Sequence, residues 1–221
     1  FNVASVTPEI VDPEITKILL TTNVKYDEKA TTKTSTTLKS DVTTTITNYN
    51  TNTLSQFDGV FRFSKLSSLI DGTDSSILSN ITTLKIRKDF TPTLASSTRY
   101  DVYFRNALYN PHSGHNTASG GILESSGFKI SGDSSTVFFL DDDGQGNVRR
   151  YSFSGATRVY ANNTQGTIDY ATGAITINSL SVLSVENIRG AASTKIELTV
   201  VPNSNDVVPV RDQILEIDTA N

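Results

Sequence analysis

Residues 138–153 read FFLDDDGQGNVRRYSF, three consecutive aspartates and two glycines between two apolar runs. Carboxylates packed this closely suit two chemistries: holding a hard cation such as calcium, or acid–base catalysis by paired carboxyl groups. A helix–loop–helix calcium loop places oxygen ligands at alternate positions, glycine at the sixth and a bidentate glutamate at the twelfth. With Gly144 in sixth place, the first position is Phe139 and the twelfth is Arg150, a cation where a carboxylate is required. Catalysis needs two carboxyl groups whose environments push their pKa values apart. Three neighbouring aspartates on a turn are all expected in water, and no second acidic cluster stands out in the sequence. The plainer reading is a hairpin turn over residues 141–147 with no bound metal, in which Gly144, Gly146 and Asn147 accept positive φ. A calcium ion held by Asp141, Asp142 or Asp143 in another geometry is the alternative.

The stretch NPHSGHN, residues 110–116, offers His112 and His115. Two histidines at this spacing can share a metal on one face of a helix. Pro111, Gly114 and the flanking asparagines indicate a loop instead, with no evident third ligand, so histidines bonded to backbone are expected. Arg149 and Arg150 are adjacent on a predicted strand, so one faces in and one faces out. The outward one suits a surface ion pair or a contact with a partner protein. His112, His115, Arg149 and Arg150 are thus candidate interaction residues. No catalytic, cofactor-binding or metal-binding residue is assigned, and no cofactor is expected. GQGNVR lacks the third glycine of a dinucleotide loop, and no G-x-S-x-G elbow occurs.

The whole composition is as quiet as these motifs. The 221 residues carry a net charge of −4 with no basic block, which argues against a nucleic-acid partner. Two histidines and no cysteine leave little material for metal, thiol or haem chemistry. No apolar run approaches the roughly 20 residues that cross a bilayer as a helix, so no membrane partner is expected. The first residue is Phe1 and no methionine occurs, as expected of a piece of a longer polypeptide.

The elements that must position the motifs fall into two groups. ITKILLTTNVKY, residues 15–26, reads as a strand. Of the 23 residues from Thr31 to Thr53, 11 are threonine, a strand former. Leu38, Val42, Ile46 and Tyr49 nevertheless recur at helical spacing, and periodicity predicts one helix within residues 33–54, capped by Thr31, Thr32 or Thr34. VFRF, residues 60–63, reads as a short strand, KLSSLIDG as a helical turn and residues 77–90 as a long strand. After Pro92 short apolar runs recur every eight to twelve residues between Gly, Asn, Asp and Ser: YDVYF, GFKI, VFFL, VRRYSF, RVYA, GTIDY, AITI, LSVLSV, KIELTVV and QILEI. That grammar is all-β. The expected fold is α+β: a small α+β domain over residues 1–91, its start an extended segment, then an all-β antiparallel sandwich or barrel-like domain over residues 92–221.

Several long stretches in order, NPHSGHN, GGILESSGFKI, FFLDDDGQGNVRRY, NNTQGTIDYATGAITI and PNSNDVVPVRDQILEID, resemble the baseplate wedge proteins of T-even-like contractile-tailed phages. The resemblance is to the C-terminal portion of the large wedge protein, gene product six, and to the broader baseplate J-like family; VDPEITKILLTTNVKYDEKAT through FRFSKLSSLIDG fits as well. It implies a structural virion protein and no enzyme, built into the tail baseplate after assembly in the host cytoplasm. Its implied partners are itself, as a dimer or a ring around the hub, and other wedge proteins, with no small-molecule substrate. A carbohydrate-binding or adhesin β-sandwich is the rival reading, with Tyr103, Tyr109 and Tyr160 as candidate exposed aromatics.

Overall fold

The computed structural model describes residues 14–115, 120–210 and 212–219; the expected extended start of the first domain lies outside them. β1 (Glu14–Tyr26) and β2 (Ile77–Phe90) pair antiparallel, with Ile18 opposite Ile86 and Leu20 opposite Leu84. Between them the threonine-rich stretch is helical: α1 (Ser35–Tyr49), prolonged by a π-helical turn, Asn50–Leu54. Threonine is a poor helix former because its branched Cβ loses rotamer freedom. Burial decides otherwise, since Leu38, Val42 and Tyr49 reach the core and Ile46 packs on it. Thr34 caps the helix by accepting from the Thr37 N–H. The hydroxyls of Thr43, Thr44 and Thr47 donate back to carbonyls one turn earlier, so the off-stripe threonines satisfy themselves.

VFRF is not a strand. Phe61 makes one isolated bridge with Val207, and Phe63 already begins α2 (Phe63–Asp71). The reason lies far along the chain: Asp206 Oδ1 accepts the Phe63 N–H at 2.9 Å and caps the helix from outside. The Phe61 ring meets the edge of Tyr49, and Gly72 closes α2 as expected.

The later strands are β3 (Thr98–Tyr103), β4 (Glu124–Ser125), β5 (Phe128–Ile130), β6 (Asp133–Asp142), β7 (Asn147–Ser154), β8 (Thr157–Asp169), β9 (Ala174–Leu180), β10 (Val182–Val185), β11 (Ile196–Val200) and β12 (Gln213–Ile217). RVYA and GTIDY are the two halves of β8. One sheet has the order β10-β5-β6-β7-β8-β9-β3 with every neighbour antiparallel. The other, β12-β1-β2-β11-β4, takes three of its five strands from past residue 92, and β12 lies parallel to β1. The architecture is a small α+β layer pair joined to a β-rich antiparallel region.

The topology crosses the expected 91/92 boundary, and one hydrophobic cluster runs from Val42, Leu66 and Ile86 through Leu198 and Leu123 to Phe128 and Leu140. Arg87 ties the late strands in. Buried on β2, its guanidinium meets Asp218 just after β12 at 2.6 Å, Glu197 of β11 at 3.2 Å and Asp89 at 3.0 Å. Burial pushes the Asp89 carboxyl above the ordinary aspartate range, against the pull of Arg87.

The buried stripe of α1 is testable by truncation. Leu38→Ala is expected to cost about 2–5 kcal/mol in a denaturant titration, as for a core leucine, and half-buried Ile46→Ala less. Thr44→Ala, on the exposed face, should stay within about 0.5 kcal/mol of the parent.

Candidate functional site

The aspartate run leads into a hairpin, but the turn is shorter than the expected 141–147. Asp141 and Asp142 still pair within β6, Asn147 already opens β7 without positive φ, and residues 143–146 make the reversal with Gly144 and Gly146 at positive φ. β6 ends at Asp142 and β7 starts at Asn147, with Asp142 opposite Val148 and Asp141 opposite Arg149. Phe139 sits opposite Tyr151 and Leu140 opposite Arg150. Gly144 has φ +71°, and a Cβ there would lie 2.2 Å from the His115 carbonyl oxygen. No side chain fits at that position.

The three carboxylates are not in water. Asp141 is 0% exposed, Asp142 1% and Asp143 8%. A buried carboxylate needs charge or hydrogen-bond partners, and each of these has them. Asp141 accepts from Arg149 Nε at 2.9 Å, Arg158 Nη1 at 2.6 Å and the Tyr160 hydroxyl at 2.9 Å. Asp142 Oδ1 accepts the Leu123 N–H at 2.8 Å, and its Oδ2 accepts the Tyr170 hydroxyl at 2.6 Å and the Gly144 N–H at 3.2 Å. Asp143 accepts from the N–H groups of Gln145 and Asn147 and from the Asn147 side-chain amide. The lone pairs that a cation would use are directed at protein donors.

The cluster is closed by glycine on one side and aromatics on the other. A Cβ on Gly121 would lie 2.0 Å from the Asp142 carboxylate, so only glycine lets the backbone pass there. Arg149 and Arg158 lie over the rings of Tyr160 and Tyr151, at 4.1 and 4.5 Å. Burial raises the Tyr170 hydroxyl well above its usual range, and its bond to Asp142 adds to the shift. Tyr160 is raised by burial and by Asp141 in the same way. Burial works against ionised Asp143, but its three donors prevail and hold its carboxyl below the usual value.

His112 and His115 lie on the loop that this turn grips. The Gly114 N–H donates to the Gly144 carbonyl at 2.9 Å. His112 Nδ1 lies 3.2 Å from the Ser113 carbonyl, which can only accept, so His112 Nε2 becomes the acceptor for His115 Nδ1 at 3.3 Å. The two rings meet edge to face, and His115 also packs edge to face on Tyr109. Among the described residues no group of three or more His, Cys, Asp or Glu side chains could hold a metal ion.

The arginine pair faces opposite ways, but neither member is a free surface cation. Arg149 is buried against Asp141. Arg150 is half-buried, lies over the Phe138 ring and donates to Gln165 at 2.9 Å. The structure therefore brings His115 and Arg149 to one turn and sends Arg150 to the other side of the sheet. Arg158, Tyr170 and Gly121 escaped the sequence reading, which took Tyr160 for an exposed aromatic rather than a partner of Asp141. Arg158 and Tyr160 share the alternation of β8, but only the β6–β7–β8 register shows that they meet Asp141. Of the three candidate tyrosines, Tyr160 is locked in this cluster, Tyr109 packs on His115, and Tyr103 is exposed beside Arg105.

Residues 16–89 match the family model described as baseplate structural protein gp6, C-terminal domain III. The match begins in β1, takes in both helices and ends at the penultimate residue of β2. No curated protein matches the chain. The match supports a structural protein of the phage tail baseplate, which points away from an enzyme.

Removing one donor from this site should be costly. Tyr170→Phe leaves Asp142 short of a hydrogen bond to a charged group and is expected to lose about 1.5–3 kcal/mol of stability. Calorimetric titration should show no calcium binding below millimolar concentrations. Asp143, with its lowered folded-state pKa, adds stability that is present above its unfolded pKa and is lost as pH falls through the folded value. Asp143→Asn is therefore expected to flatten the acid limb of the stability profile below about pH 4.

Proposed function

We propose that this chain is a structural component of a phage tail baseplate wedge, one that joins copies of itself in a ring around the hub and binds other wedge proteins. The observation that carries the reading is the family match over β1, α1, α2 and β2, a complete supersecondary unit. The aspartate turn supports it, because its carboxylates and the nearby histidines are spent on internal bonds that stiffen the fold. The β1–β2 face away from the helices supports assembly as well. Thr21, Asn23, Ile81 and Thr83 form an uncharged patch at its centre, with Ile81 70% exposed, between Lys25 on one side and Lys85, paired with Glu124, on the other. A face rich in uncharged side chains can meet an identical neighbour without like-charge repulsion. The protein reaches the tail of a contractile phage after assembly in the host cytoplasm.

Mass spectrometry of purified particles of the encoding phage should find this chain in the tail baseplate alongside other wedge proteins; its absence from the particle would overturn the reading. Self-association has its own test. Light scattering of the 23.9 kDa chain at high micromolar concentration is expected to give a dimer mass, and a strict monomer would count against that part.

A further inference from the structure

β1 has an edge that its own sheet leaves unfinished. β2 pairs with it from Lys17 to Tyr26, whereas β12 covers only residues 14–18 on the other side. Among the described residues no strand lies against that side of β1 past Ile18. Glu14 N–H donates to the Asp212 carbonyl, and the Ile18 carbonyl accepts from Asp218 N–H. Even-numbered β1 residues therefore turn their backbone polar groups toward β12, and odd-numbered ones toward β2. Thr22 and Val24 thus aim N–H and C=O groups at the open side.

The same residues send their side chains under α1. Between α1 and β1 lies a cavity of about 420 Å³ lined by Leu20, Val24, Leu38, Val42 and Ile46, with Ile217 of β12 at one end. Lys39 stands on its rim, exposed and without an ion-pair partner among the described residues.

We propose that this edge receives a strand from a partner polypeptide, running parallel to β1 in line with β12, with apolar side chains at alternate positions and a carboxylate facing Lys39. Open N–H and C=O groups along a strand edge are matched only by another extended backbone, and the lined cavity takes every second side chain. β12 shows the seating: it pairs parallel with β1, buries Leu215 and Ile217 toward the core, and its line is continued into the cavity by Asp218 and Thr219. The new strand extends that interface, and the unpaired ammonium selects an acidic residue over a basic one. The idea goes beyond the baseplate reading and does not depend on it.

A labelled peptide copying residues 212–218, DQILEID, has the required alternation and carboxylates. Fluorescence anisotropy on the intact chain should show saturable binding, and hydrogen exchange should show new protection at the Thr22 and Val24 amides. Val24→Pro removes an open-edge donor without touching the β1–β2 ladder and should weaken binding roughly five- to tenfold, the worth of one backbone hydrogen bond. The surface change Lys39→Glu should weaken it as well, while Lys85→Glu, on the other face of the sheet, should leave it unchanged. No binding at millimolar peptide, or equal affinity in Val24→Pro and Lys39→Glu, would overturn the proposal. Loss of protection at Thr16 and Ile18, meaning exchange for β12, would do so too. Concentration-dependent protection of Thr22 and Val24 without peptide would assign the edge to a second copy and equally overturn it.

Discussion

Two carboxylates out of water, Asp141 and Asp142, set a condition that the surrounding β-rich region must meet. A buried ionised carboxylate is costly unless charge and hydrogen bonds surround it, and breaking such a pair from one side costs about 3–5 kcal/mol. Asp141 draws Arg149 across the hairpin and Arg158 and Tyr160 from β8. Asp142 draws the backbone at Leu123 and the hydroxyl of Tyr170 from beyond β8. One turn thus fixes the β6–β7 register, the position of β8 and the path of the loop that carries both histidines. A slip of one residue would put Asp141 on the apolar face and Leu140 between Arg149 and Arg158. The acidic run works as a polar register lock.

The α+β part is held by a similar device. The helices and β1–β2 form the unit that the family model covers, but its sheet is completed by β11 and β12. Buried Arg87 meets acids contributed by both later segments, and the Asn50 side chain accepts the Ile217 N–H at the outer edge of β12. Apolar packing merges the two sheets in one cluster. These few polar contacts tie the late strands to the α+β part. A body cross-linked in this way suits the proposed role of a fixed part in an assembly.

What was legible in the sequence was local. Leu38, Val42 and Tyr49 marked the helix against threonine propensity, and the glycines between two short apolar runs marked the hairpin. Contacts made at long range were not legible. The aspartates read as solvated because nothing near them in sequence shows that Arg158, Tyr160 and Tyr170 converge on them or that Gly121 lets the chain come close. VFRF failed as a strand for the same reason: the group that starts α2 is Asp206, 143 residues away. The His112 ring bonds backbone as expected, but the His115 ring bonds the His112 ring instead, and the seat of their loop on Gly144 depends on a pairing that no local signal carries.

The lock is tested most directly by a double-mutant cycle between Asp141 and Arg149. Asp141→Asn and Arg149→Met, singly and together, would be compared by denaturant unfolding. Asp141→Asn removes the charge facing both Arg149 and Arg158, whereas Arg149→Met leaves Asp141 with Arg158 and Tyr160. If the Asp141–Arg149 pair holds the hairpin, the double variant should lose less than the sum of the two single changes, with a coupling of about 2–3 kcal/mol. Additivity within about 0.5 kcal/mol would mean that the two groups do not depend on each other, and would contradict the aspartate turn as the structural lock of this protein.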